Sequence, residues 1–89
     1  MTPEIEVKVQ DYFESNWSGV CHDEIRRKLF EEIGELKAAI LFSTANSVAE
    51  EAADVVIVLC SLLRELYGIS LSVEVNDKLA IIKERSKNN

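Results

Sequence analysis

The sequence predicts an all-α fold, a four-helix bundle completed by oligomerisation. Apolar residues recur every three to four positions through four segments, the period of a helix with one buried face. The stretches between those segments are short and hold Ser, Thr, Asn and Gly, residues that start and stop helices. Finally, 47% of the 89 residues are hydrophobic. A chain this short buries only about 60% of its unfolded surface when it folds alone. The surplus points to a second copy that completes the core. No repeat, low-complexity stretch or boundary divides the chain, so residues 1–89 read as one domain.

The first helix is expected over residues 3 to about 15. Thr2 can cap it, Pro3 suits its first position, and Glu4 and Glu6 favour the positive end of its dipole. Ile5, Val9, Tyr12 and Phe13 make its stripe, and SNWSG (Ser15 to Gly19) breaks it. The second helix runs from about Asp23, its expected N-cap, to Phe42. Ile25, Leu29, Ile33, Leu36 and Ile40 fall within about 80° on the ~100° step and form its core face. After STANS (Ser43 to Ser47), Asn46 or Ser47 caps a third helix that ends at Tyr67 with Gly68 as its C′ residue. From Ala52 to Leu63 this helix is apolar almost all round, which predicts burial on most faces. Its β-branched run also fits a strand, but its length, its Glu-rich start and its lack of turn residues favour a helix. The last helix covers about Ser70 to Ser86, capped by Ser70 or Ser72, with Leu71, Val75, Leu79 and Ile82 as its stripe. The tail SKNN is expected to fray.

The net charge of −6 speaks against non-specific binding to nucleic acid or to an anionic membrane. Cys21 and Cys60 show neither CxxC nor zinc-ligand spacing, and Cys60 reads as a buried small hydrophobe. With a charged N-terminus that lacks an apolar core, this predicts a reducing, cytoplasmic setting. The longest apolar run, Val55 to Cys60, is far shorter than the ~20 residues of a membrane span.

The chemistry concentrates between Glu31 and Asp54. EEIGE (Glu31 to Glu35) is followed by 15 residues and then EAAD (Glu51 to Asp54). Residues three apart share a helix face, so Glu32 projects with Glu35, and Glu51 with Asp54. If the two helices pack antiparallel, four carboxylates meet across one seam. Like charges that close repel and resist desolvation. A hard divalent cation, Mg²⁺ or Mn²⁺, removes that cost and points to phosphate chemistry. The plainer reading is two solvated acidic faces, with Glu51 and Asp54 placed by their helix dipole. Against it, both pairs flank apolar faces. Lys78 and Arg85 share one flank of the last helix and can balance phosphate charge. Trp17 offers a stacking face for a base, or simply packs. No Ser/His/Asp or Cys/His arrangement and no glycine-rich phosphate loop is present.

EEIGEL (Glu31 to Leu36) followed by EEAADVVIVL (Glu50 to Leu59) resembles the MazG-type signature of the all-α nucleoside triphosphate pyrophosphatases. That signature is EExxE, a variable interval and ExxD. The glycine turn at Gly68 and the later Lys78 and Arg85 extend the similarity, which covers about residues 25 to 85. The resemblance implies a MazG-like bundle. It implies hydrolysis of a (deoxy)nucleoside triphosphate to monophosphate and pyrophosphate, as nucleotide-pool house-cleaning. It implies Mg²⁺ held by Glu32, Glu35, Glu51 and Asp54, with Glu31 in the second shell or aiding the water and Glu35 also catalytic. Lys78, Arg85, Lys28 and Trp17 would contact substrate, and the chain would form a homodimer or homotetramer. Ile82 stands where some relatives carry asparagine, so base preference is not read from the resemblance. Phosphoribosyl-ATP pyrophosphatase, from the same superfamily, is the enzymatic alternative. A non-catalytic helical module that binds a nucleotide or partner, or a purely structural oligomerisation domain, is the alternative outside enzymes.

Overall fold

The computed structural model describes residues 3–17 and 19–87, and among them every regular element is helical. The order is α1 (Pro3–Asn16), α2 (His22–Phe42), α3 (Ala45–Tyr67) and α4 (Leu71–Lys87). The expected cap Thr2 lies outside the described residues, as do Ser18 of the break and the last two residues of the tail. Ser86 and Lys87 continue α4 rather than fraying from it.

Local chemistry moves two caps. Helix α2 starts one residue earlier than expected, with Cys21 at the cap position and no side-chain cap bond. Asp23 therefore lies inside the first turn, where it accepts from Arg26 Nη1 at 2.7 Å and still complements the dipole. Thr44, not Asn46 or Ser47, caps α3, its Oγ1 accepting from Ser47 N at 3.3 Å. Ser70 caps α4 by accepting from Val73 N. Gly68 closes α3 at φ +65°, where an L side chain is strained. Its N–H reaches Arg64 O and the next reaches Leu63 O, so the last carbonyls are satisfied.

A two-residue link folds α3 back along α2, and this pair shares the most extensive contact in the chain. Phe13 of α1 closes one end of the pair, packing with Ile25, Leu29 and Leu62 as the core cluster. Helix α4 leaves α3 at 101°, its backbone close to α1 and α3 but not to α2. Glu6 of α1 fixes its start, accepting from Ser70 Oγ at 2.7 Å and from Ser72 N at 3.1 Å. The radius of gyration is 15.0 Å, against about 12 Å for a compact chain of this length.

That splayed shape corrects three expectations about burial. Ile25 and Leu29 are buried, but Ile33 and Ile40 of the expected core face are exposed. The face turned towards α3 is instead Ile25, Leu29, Glu32 and Ala39. Ile33 and Ile40 lie about 60–80° round the helix from Ile25. With Phe30 and Leu41 they form a second apolar face, which α1 and α4 do not reach because they pack at the other end of α3. Helix α3 is likewise not buried on most faces: Cys60, Ser61 and Leu62 are buried, while Val55, Val58 and Leu59 are half-buried. Leu79 and Ile82 of the α4 stripe are exposed. No single helix among the described residues is long and apolar enough to cross a membrane.

Candidate metal centre

The α2–α3 hairpin sets the register of the acidic residues. Glu32 and Glu35 stand one turn apart on α2, and Glu51 faces them from α3. One carboxylate oxygen from each lies within 4.8 Å of the others. Glu32 sits about 20° round the helix from Ile25, and this draws its carboxylate into the seam, 95% shielded from solvent. Glu51 is half-buried and Glu35 stands at the solvent edge.

The electrostatics of the trio are unfavourable as it stands. The charge on Glu32, a shared hydrogen bond with it, burial, and then Glu51 all push the Glu35 carboxyl above its ordinary value. Glu32 Oε1 is satisfied by Lys28 Nζ at 2.7 Å. Glu32 Oε2 and Glu51 Oε2 are shut off from solvent and, apart from a proton shared with the Glu35 carboxyl, accept from no donor. An ionised carboxylate can only accept. Two buried acceptor oxygens without donors beside a third carboxyl therefore call for a proton or a cation between them.

The remaining candidate residues divide into those near this trio and those away from it. Lys28 is close, but engaged: its hydrogen bond to Glu32 holds the ammonium above its ordinary value, against burial and with help from the charges on Glu32, Glu31 and Glu35. Trp17 stacks on Phe13 at 6.4 Å between ring centres and 15° between planes. Its exposed side lines a groove of about 200 Å³ with Glu24, Arg27, Lys28 and Glu31. The fold thus gathers Trp17, Lys28 and Glu31 in one groove, and Lys28 links that groove to Glu32. Asp54 is exposed and outside the trio, although it shares a helix with Glu51. Its side chain is one methylene shorter than glutamate and lies about 60° round the helix from Glu51. Lys78 and Arg85 are exposed on α4, and neither is among the residues of the acidic trio or of the Trp17 groove.

Sequence reasoning missed the Lys28–Glu32 pair and the contribution of Arg27 to the groove. The i,i+4 spacing of Lys28 and Glu32 was the available signal for the first. Comparison with known proteins adds no identification: no family model, curated protein or solved structure gives a significant match to this chain.

Proposed function

We propose that this chain is a MazG-like hydrolase that converts (deoxy)nucleoside triphosphates to monophosphate and pyrophosphate with Mg²⁺, for which Mn²⁺ can substitute. The observation that best supports the reading is the pair of buried oxygens on Glu32 and Glu51 that meet no donor other than a proton shared with Glu35. The donor set is all oxygen and anionic, which suits a hard divalent cation and not a soft one. Glu32, Glu35 and Glu51 hold the ion, and Asp54 is not counted among its ligands. When bound, such an ion supplies positive charge to the triphosphate and acidifies water.

The chain's own groups do the rest. Trp17 presents a ring face to a base at one end of the groove, and Arg27 and Lys28 balance phosphate charge along it. Glu31, exposed on the same groove, accepts the proton of the attacking water. Lys78 and Arg85 serve the site from a second copy, within a homodimer or homotetramer of a cytoplasmic house-cleaning enzyme. The exposed apolar face of α2 supports that assembly.

The test is pyrophosphate release from a panel of standard and modified nucleoside triphosphates, with Mg²⁺ and with chelator. Metal-dependent release is expected, and Glu35→Gln lowers it at least about a hundredfold, the upper end of what removing an outer-sphere partner costs, with helical content unchanged. Turnover of phosphoribosyl-ATP alone reassigns the substrate. No turnover of any of them, by protein that binds Mg²⁺, makes the chain a binding module.

A further inference from the structure

Among the described residues, Lys28 belongs both to the acidic seam and to the groove. Its ammonium meets Glu32 Oε1 at 2.7 Å, while its side chain is 35% exposed and lines the groove with Trp17 and Arg27. Glu32 is 95% buried, and its other oxygen is shut off from solvent with no donor beyond a proton shared with Glu35. A single ammonium therefore neutralises one edge of a site that carries three carboxylates. A divalent cation between Glu32, Glu35 and Glu51 draws on the same Glu32 charge. It weakens the hold on Lys28 and repels the ammonium at short range. Lysine carries its charge on a flexible four-carbon stem. The way out of the seam leads into the groove, where Arg27 supplies a second positive charge beside the carboxylates of Glu24 and Glu31.

We propose that Lys28 is a built-in counter-ion that the divalent cation displaces, and that the displaced ammonium then binds a phosphate group in the Trp17–Arg27 groove. The inference rests on the acidic trio being a metal site. It makes binding ordered: metal first, phosphate second. It also sets two couplings of opposite sign. Lys28 opposes metal binding when no anion is present, and it carries the favourable coupling between metal and phosphate when one is.

Calorimetric titration with Mn²⁺ tests this on the full chain without nucleotide, first alone and then in millimolar inorganic phosphate as the anion probe. Wild type binds Mn²⁺, and phosphate tightens that binding. Lys28→Met binds Mn²⁺ alone about tenfold more tightly than wild type, an ordinary size for a coupling between neighbouring sites, and phosphate no longer adds to it. Lys28→Arg keeps the charge and the wild-type pattern. Lys28→Gln, whose amide can still donate to Glu32, gives the same reading as Lys28→Met if the latter does not fold. If wild type binds Mn²⁺ and the neutral variants bind it equally or more weakly, Lys28 is no displaced counter-ion and the inference fails while the metal site stands. If wild type binds no Mn²⁺, the metal site itself fails and takes the inference with it.

Discussion

Ile40→Asp offers a direct test of the proposed assembly. Ile40 sits on the second apolar face of α2 with Phe30, Ile33 and Leu41, and the four are 62%, 69%, 45% and 60% exposed respectively. Ile33, Leu36, Ile40 and Leu41, with the stem of Lys37, line a shallow hollow of about 280 Å³. Full burial of such side chains contributes about 1.5–3 kcal/mol each. Scaled by the exposed fractions, covering the four releases about 3.5–7 kcal/mol per protomer, and a two-fold pair counts that twice. The total is of the size needed to offset the roughly 4–15 kcal/mol that association costs. In Ile40→Asp each copy loses about 1–2 kcal/mol of that burial and confines a carboxylate at a cost of at least about 2 kcal/mol. Counted twice, the loss is at least about 6 kcal/mol, or four orders of magnitude in dissociation constant. Light scattering after size exclusion, at tens of micromolar protein, reads the outcome. Wild type is expected as a dimer or tetramer and Ile40→Asp as a monomer of unchanged helical content. A monomeric wild type, or a variant that keeps the wild-type mass, refutes the reasoning.

Three further predictions concern stability. Burial raises the Glu6 carboxyl, but hydrogen bonds from Ser72, Ser70 and Leu71 outweigh it and hold the group below its ordinary value. Its contribution is thus present above the ordinary carboxylate value of 4.5 and is lost as pH falls through its lower folded value. Glu6→Gln is expected to cost about 1–2 kcal/mol at pH 7, roughly 5–15 °C in melting temperature for a domain of this size. It should also flatten the acid limb of the wild-type pH profile, and an unchanged melting curve rejects Glu6 as the tie between α1 and α4. Glu35 has the opposite sign. Its raised carboxyl gives stability that is complete below 4.5 and lost as pH rises through the folded value. In chelator, melting temperature should therefore fall between pH 4.5 and 7, and Glu35→Gln should remove that fall. Mg²⁺ at a hundred times its dissociation constant should add about 2.7 kcal/mol at pH 7, which differential scanning fluorimetry resolves easily. No shift with Mg²⁺ argues for a purely structural domain.

The helices were legible because their signals are local. Ser70 and Gly68 act within one turn, and the four observed spans differ from those expected by one or two residues; the caps of α2 and α3 fall on other residues than expected. Which apolar face meets which neighbour was not legible to the same degree. Helix α2 carries apolar residues over more than half its circumference, from Ala39 through Ile25 to Leu41. A wheel drawn from the sequence cannot divide them between a face packed on α3 and a face left exposed. The division follows from tertiary facts: the two-residue link that clamps α3 to one side of α2, and the tie at Glu6 that turns α4 away from the other.

The same division explains the site. Glu32, Glu35 and Glu51 could be read together because the hairpin that joins them is short and its register follows from its length. Asp54 could not be ranked against Glu51, since one methylene and about 60° of helix rotation separate a seam residue from a solvent-facing one. For Lys78 and Arg85 the signal was chemical and not spatial: a cation suits a phosphate, but nothing within α4 states which face of the assembly it serves. In one chain α4 leaves α3 at 101°, and neither cation is among the residues of the trio or of the Trp17 groove. Lys28, paired with Glu32, stays beside the trio, and Arg27 lines the groove with it; both lie on α2 itself. These two cations share the groove with Glu24 and Glu31, so its own charges balance. Under the proposed reading, charge for further phosphate groups comes from Lys78 and Arg85 on the α4 of another copy, and a variant lacking both should then lose substrate affinity without losing the metal.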